Sequence, residues 1–583
     1  MAWLRGPLGS LGVLGSLSLL GGLLTSSLAL VGAPRAAQAC GGTFCDAGPQ
    51  IMPVDQTGET IVFWIDEGGS EPHTEAHIQI QYEGDAERFA WIIPVMAAPE
   101  VLVGSQALFD NLLTATQPVF QTQSTTVGDC FGGMGFGCAM AREDSAGGDL
   151  NGFTTFADDG GDSDTDGPDI LDRGFAGAFE YVTLTGDTVA EVVDWLDMAG
   201  YAQDDDAPPI LQEYLDEGFV FVAVKLRSGV GVDEIHPLAI RYPGTEPCIP
   251  IRLTRIAAVE DMAIRAMFLG EDRVASSNWP HVILNHLALD YVNNPAASYA
   301  EAVSLAIDEA GGRAFVTEYA GTDVIVSTSD LRDPRWNPAA FAEIAAVGVV
   351  EELSDQTLMA CLNDTCNFFH PQIRALLERF LPAPDGMDPE QFWSCLSCYE
   401  GLIDADAWDP TAFAAALDEQ IVGPGDHAVE MLADATYLTR LYTVLSPHEM
   451  TEDPLFHVVR GVGNVDTLFD ATRVNDCDGG PTVFELPDGR SVALTEGGTM
   501  PDLELPVAAR IERIPAMGPA QVEVDNEPEI DAALDAYNRT RLTGPSPSCT
   551  VRRGDSGRTE GVLGVLAVFV IAGLHRRRRT RMS

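Results

Sequence analysis

His77-Ile78-Gln79-Ile80-Gln81-Tyr82 alternates polar and apolar side chains, the pattern of a strand with one buried face. Thr60–Ile65 before it and Phe89–Val95 after it are more uniformly apolar, as central strands are. A short helix is expected near Ser105–Leu113. Further along, Thr188–Ala199 sets Val189, Val192, Val193 and Leu196 on one helical face, and Phe219–Leu226 reads as a strand buried on both sides. Leu238–Tyr242, Ile251–Ala257, Ala263–Phe268 and His281–Leu284 are further strand candidates.

From about residue 337 the pattern turns helical. Asn337-Pro338, Asp388-Pro389 and Asp409-Pro410 each place a capping side chain before a proline suited to the first helical turn. Phe413, Leu417 and Ile421 share a face, and Gly423-Pro424-Gly425 is expected to stop that helix. His427–Leu445 is expected to resume it, with Leu438, Leu441, Tyr442 and Leu445 as its apolar positions. The fold class is therefore α+β: a mixed, strand-rich N-terminal region, then a helical region, then a short strand/turn region. The expected organisation is 1–39 signal peptide, 40–127 first part of a strand-rich domain, 128–175 Gly/Asp-rich loop, and 176–335 α+β continuation of the same body. Residues 336–455 form the helical region, 456–548 short strands, turns and an acidic proline-bearing linker, and 549–583 a sorting tail.

Composition narrows the function classes. The chain of 583 residues carries 33 Lys+Arg against 88 Asp+Glu, a net charge of −55, and Lys225 is its one lysine. Setting aside 1–39 and 550–583 removes ten bases and two acids, so the remainder holds 23 bases against 86 acids, a net −63. Such a field repels nucleic acid and anionic headgroups, which excludes nucleic-acid binding, and it favours solubility and attraction of cations.

Both ends read as addresses. Arg5 is followed by an uncharged, Leu/Gly-rich run, Pro34 breaks it, and Ala37-Gln38-Ala39 fits cleavage by signal peptidase. Cys40 directly after it also allows a lipid-acceptor reading, although Ala37-Gln38-Ala39 is a poor lipobox. At the other end Cys549 follows Gly544-Pro545-Ser546-Pro547-Ser548. Gly561–Leu574 is then apolar throughout, and Arg576-Arg577-Arg578-Arg579 closes the run. Fourteen helical residues span about 21 Å, short of a hydrocarbon core near 30 Å. The arginines would stay cytoplasmic, which leaves the body outside. This order of parts resembles the MYXO-CTERM sorting signal of exported proteins from myxobacteria and relatives. The resemblance implies processing near Cys549 by a sorting protease and display on the cell surface. Without processing, the protein would be a single-pass membrane protein with its body outside the cytoplasm.

Cysteine usage agrees with export. Apart from Cys549 there are ten: Cys40, Cys45, Cys130, Cys138, Cys248, Cys361, Cys366, Cys395, Cys398 and Cys477. In an oxidising compartment an even set is expected to pair. The simplest pairing is Cys40–Cys45, Cys130–Cys138, Cys361–Cys366, Cys395–Cys398 and a long-range Cys248–Cys477, although sequence leaves the connectivity open.

The body carries a resemblance of its own. Cys40-Gly41-Gly42-Thr43-Phe44-Cys45, Pro53-Val54-Asp55-Gln56, His77–Tyr82 and Phe89-Ala90-Trp91-Ile92-Ile93-Pro94-Val95 together resemble the opening of domain-of-unknown-function family 2330. The likeness covers about residues 40–350. That family consists of exported proteins without an assigned activity, so it brings no catalytic residues with it.

Among candidates for chemistry, Asp162-Ser163-Asp164-Thr165-Asp166-Gly167 matches the first half of a calcium loop, with Asp162, Asp164 and Asp166 as ligands. The second half departs from the pattern, because Arg173 stands where a bidentate Glu is required; a solvated acidic loop is the plainer reading. Cys361, Cys366, Cys395 and Cys398 could make a four-cysteine zinc site, and Cys395-Leu396-Ser397-Cys398 a redox motif, but disulfides suit an exported chain better. His281, His286 and His448-Glu449 lack the spacing that puts two imidazoles on one helical face, and read as structural. No nucleophile elbow and no phosphate-binding Gly-x4-Gly-Lys-Ser/Thr occurs. The expectation is an exported, envelope-displayed protein with a non-enzymatic structural or binding role, its extracellular ligand undefined. Its rivals are an exported hydrolase with a site assembled from distant residues, and a calcium-dependent adhesion module.

Overall fold

The computed structural model describes residues 42–44 and 55–542, except 70, 84–89, 129–167, 200–205, 228–233, 323–325 and 405. The expected signal peptide and sorting tail lie outside these residues.

Seven strands make the central sheet: β1 Asp55–Asp66, β2 His73–Glu83, β3 Glu100–Val103, β4 Leu238–Pro243, β5 Ala258–Gly270, β6 Val316–Gly321 and β7 Tyr437–Leu445. Their order is β6-β7-β5-β1-β2-β4-β3. Only β5 and β1 run parallel; every other neighbouring pair is antiparallel. Because side chains alternate across a strand, β1 sends Ile61, Phe63 and Ile65 one way and Val62 and Trp64 the other. The first set meets a second, five-stranded antiparallel sheet of Gly42–Phe44, Ala90–Val95, Val220–Leu226, Phe179–Thr185 and Asp169–Ala176. Ile78 and Ile240 from one sheet and Trp91, Ile93 and Val224 from the other fill the space between. Phe268 lies at its centre, 5.2 Å from Phe63 and 4.8 Å from Phe456, ring to ring. Each such fully buried side chain is worth about 1.5–3 kcal/mol.

Both outer faces are covered by helices. Ile92, Leu184, Phe221 and Ala223 pack under Val189–Met198 and Ala207–Glu217. Val62, Trp64, Met267, Leu269 and Leu438 pack under helices α1 (Gln106–Thr116) and α2 (Gly423–Asp434). The result is α+β, four layers deep, with a separate helical core built on Phe341, Leu376, Phe392, Trp393 and Phe413.

Several expected elements are confirmed and several are corrected. Ser105 caps α1, its hydroxyl accepting from Leu108 N at 3.3 Å. Asp388 and Asp409 cap their helices as the Asp-Pro pairs predict, Asp409 accepting from Thr411 and Ala412 N. At Asn337 no side-chain cap forms; the backbone of Asn337 is held by Gln356, and only a short 3-10 turn, Pro338–Phe341, follows. Ile251–Ala257 is not a strand: Ile251–Thr254 is one helical turn, where Arg252 bridges to Asp453.

The helix does not stop at Gly423-Pro424-Gly425. A π-turn over Asp418–Val422 absorbs the hydrogen bond that Pro424 cannot make, and α2 carries on. Tyr437–Leu445 is a strand rather than a helix. All nine residues are buried, because the strand is central in a sheet covered on both faces, and so the alternation that marks a strand is erased. Glu527–Leu542, expected as linker, is a helix that buries Ile530 and Leu534. Glu527 and Glu529 in its first turn and Arg539 and Arg541 in its last suit the helix dipole. Among the described residues no helix is long and apolar enough to cross a membrane, and Gly561–Leu574 lies outside them.

Candidate functional site

The face of β2 that looks toward α2 carries Glu75 and His77 two residues apart, so both side chains leave the strand on the same side. Register places Glu75 between Trp64 of β1 and Arg241 of β4, and Arg241 in turn opposite Glu100 of β3. A charged row thus crosses the sheet beneath the helical layer. Glu75 is fully buried and His77 nearly so, whereas His427 of α2 retains 21% of its side-chain exposure.

Both imidazoles point at a single oxygen. His77 Nε2 and His427 Nε2 each lie 2.6 Å from Glu75 Oε1. The other carboxylate oxygen, Oε2, accepts from Arg241 Nε at 2.9 Å and lies 2.8 Å from a terminal guanidinium nitrogen of the same residue. Arg241 also reaches Glu100 Oε2 at 3.0 Å. The His77 and His427 rings are nearly parallel, 6.1 Å apart, and Trp64 stands edge-on to His427 at 5.7 Å. His77 Nδ1 is buried without a partner, so the ring is oriented for Nε2 at a cost to its other nitrogen.

Burial alone would raise the Glu75 carboxyl, but the hydrogen bonds from His427 and His77 outweigh it and hold the group well below the usual carboxylate range. The hydrogen bond to Glu75 raises His427 above the ordinary imidazole value despite partial burial. Glu75 is therefore a permanent anion inside the protein, matched by neighbouring positive and hydrogen-bonding groups. Glu75, His77 and His427 present one ligand atom each, all within 4.8 Å of one another, a donor set suited to a divalent cation.

The packing of α2 explains how His427 arrives there. Ala428, Met431 and Leu432 seat the helix on the sheet. Gly425 allows its close approach, since a Cβ there would lie 2.6 Å from Leu331 O. Arg332 Nε holds Asp426 at 2.9 Å.

A small cleft between the two sheets is lined by Ile78, Trp91, Phe179, Lys225 and His236. His236 is already satisfied there. Its Nδ1 lies 2.9 Å from Pro237 O, its Nε2 accepts from Ala178 N, and burial takes its pKa down to about 4. The sole lysine, Lys225, is 3.7 Å from Glu180.

Of the residues singled out in the sequence, Cys361–Cys366 and Cys395–Cys398 are disulfides, the first joining Met359–Leu362 to Thr365–Phe368. Their thiols are thereby unavailable to zinc. Cys248 and Cys477 are disulfide-bonded too, but the expected bridge between them is not among those the described residues form. Cys248 lies beside Leu455, whereas the Cys477 N–H donates to Val127 O. Asp162, Asp164, Asp166, Ala39, Cys40, Cys45, Cys130, Cys138, Cys549 and Arg576–Arg579 lie outside the described residues. His281 is buried near Thr317 with its pKa taken down to about 3 by burial and by Arg273, and His286 lies 2.8 Å from the Tyr291 hydroxyl. Glu449 is bound to its own turn through Ser446 N.

Sequence reasoning missed Glu75, His77 and His427. In sequence His77 reads as the polar side of a half-buried strand, and nothing local ties it to a residue 350 positions away. The available signal was Glu75-Ala76-His77, two metal-ligating types at strand spacing.

Residues 34–355 match the profile of a family described as an uncharacterized protein conserved in bacteria, DUF2330. The chain belongs to this family. The match covers more than half of the chain and takes in Glu75, His77 and Arg241, while His427 lies beyond its end. No curated protein and no solved structure matches the chain.

Proposed function

We propose that this DUF2330 protein is exported and works outside the cytoplasm, held at the cell envelope by its C-terminal segment, in a binding or structural role. The observation that carries this reading is the oxidation state of its thiols: all six described cysteines are in disulfides. Such bonds form and persist in oxidising compartments and are rare where glutathione keeps thiols reduced. The acidic surface agrees, since a net −55 suits a solubilising exterior that draws in cations. The C-terminal order of Cys549, apolar run and arginines supplies the anchor and the processing point, with signal peptidase and a sorting protease as processing partners.

Mass spectrometry of the native protein tests the reading. The expected result is loss of residues 1–39, a C-terminus near Cys549, and no free thiol in the body. Recovery of the whole chain from the cytosol with Met1 present and Cys361, Cys366, Cys395 and Cys398 reduced would refute it.

A further inference from the structure

We propose that Glu75 Oε1, His77 Nε2 and His427 Nε2 form a binding site for a zinc-type divalent cation, which ties α2 to the central sheet. No sequence motif marks the site, and it is independent of the aspartate loop considered for calcium.

The donor chemistry sets the class of ion. Two imidazoles and one carboxylate suit zinc and its first-row neighbours, whereas calcium takes six to eight oxygens and magnesium keeps an octahedron of oxygens. Distances agree with a site contracted around shared protons. Each imidazole nitrogen is 2.6 Å from the same oxygen. Metal–ligand bonds of about 2.0–2.2 Å in tetrahedral geometry need neighbouring donors roughly 3.2–3.6 Å apart. An outward movement of less than about 1 Å achieves this, and His427, the ligand that reaches solvent, is placed to supply it. On binding, an imidazolium ligand gives its Nε2 proton to water, whereas a neutral ring moves that proton to Nδ1, so charge and protons balance.

Outer contacts support Glu75 and His427, while His77 Nδ1 is buried without a partner. Arg241 occupies Oε2 of Glu75 and so leaves Oε1 for the ion. Glu430 Oε2 lies 3.7 Å from His427 Nδ1, on the far side of the ring, an ion-pair separation longer than a hydrogen bond. Glu100, 3.0 Å from Arg241, offsets the guanidinium charge that would otherwise oppose a cation. Two ligands sit on a strand in the interior of a seven-stranded sheet, which fixes their separation before any ion arrives. Three protein ligands leave the fourth position on the His427 side to water.

The test uses the purified full chain with its disulfides intact. Cobalt(II) serves as an optical probe, and excess magnesium suppresses loose binding to the acidic surface. The expected result is a saturable visible absorption at one cobalt per chain, abolished by added zinc. Zinc should also raise the melting temperature of the wild-type chain, but not that of His427→Gln, whose substituted side chain is partly exposed. Absence of the cobalt band in the folded wild-type chain overturns the proposal, as does a band of undiminished strength in His427→Gln. If His427→Gln proves unfolded, anomalous scattering from zinc-soaked wild-type crystals decides: a peak between the three side chains supports the site, and a peak elsewhere or none refutes it.

Discussion

His427 on α2 and Glu75 on β2 are 352 residues apart in sequence and 2.6 Å apart in space. The pair joins the helical layer to the sheet at a carboxylate with no exposure of its own. Removing the imidazole takes away one hydrogen bond to a buried charge and leaves two partners in place. His427→Ala should therefore cost about 1–3 kcal/mol in denaturant unfolding and speed amide exchange in Gly423–Asp434. Unchanged exchange in that helix would show that packing alone holds it.

Arg241 bears more of the burden, because it is the one full positive charge in contact with Glu75. Its replacement by Ala leaves a buried carboxylate supported only by imidazoles, a loss on the order of 2–3 kcal/mol after allowance for the partial exposure of the guanidinium. Arg241→Lys should recover little of this, since one ammonium cannot span Glu75 and Glu100 as the planar fork does. Full rescue by lysine, measured by chemical denaturation, would contradict the assigned geometry.

Glu59 predicts a pH dependence. Burial pushes its carboxyl up to about 8 against the side-chain hydrogen bond with Gln56, from an ordinary value near 4.5. The folded state therefore keeps a proton that the unfolded chain has released, and stability falls as pH rises between those two values, flat on either side. Glu59→Gln should remove that fall and become the more stable protein above the upper value, by on the order of a few kcal/mol. Parallel stability–pH curves for the two proteins would sink the assignment.

Gly425 and Gly401 make a matched pair of tests. A methyl at Gly425 meets Leu331 O at 2.6 Å, backbone against side chain, so Gly425→Ala should cost about 1–3 kcal/mol by forcing α2 off its seat. At Gly401 nothing lies within 4 Å, and Gly401→Ala should be neutral or slightly stabilising. Equal melting temperatures for both variants would deny the close approach.

Peptide mapping of the oxidised protein should recover Cys361 with Cys366 and Cys395 with Cys398. A peptide joining either member of one pair to a member of the other would contradict the structure.

Much of the fold was legible where local pattern and environment agree. Leu238–Tyr242, Phe219–Leu226 and the Asp-Pro helix starts are examples, each specified by its own residues. Tyr437–Leu445 was misread because Leu438, Leu441, Tyr442 and Leu445 happen to fall at helical spacing, and burial of the strand on both faces leaves no alternation to contradict them. Glu527–Leu542 was misread because its polar composition hides the two residues, Ile530 and Leu534, that dock it. The candidate site was out of reach for a different reason. Its ligands come from a strand and a helix more than three hundred residues apart, and nothing short of the sheet register brings Glu75, Arg241 and Glu100 into a row.

The placement of β7 between β5 and β6 has a consequence for biogenesis. Strand 437–445 comes from beyond the residues shared with the family, yet it stands inside the main sheet, second from one edge, between β5 and β6. A polypeptide ending at Asp355 would hold a gap where two ladders of backbone groups should meet. The two ladders that flank it can therefore close only after three quarters of the chain has been synthesised.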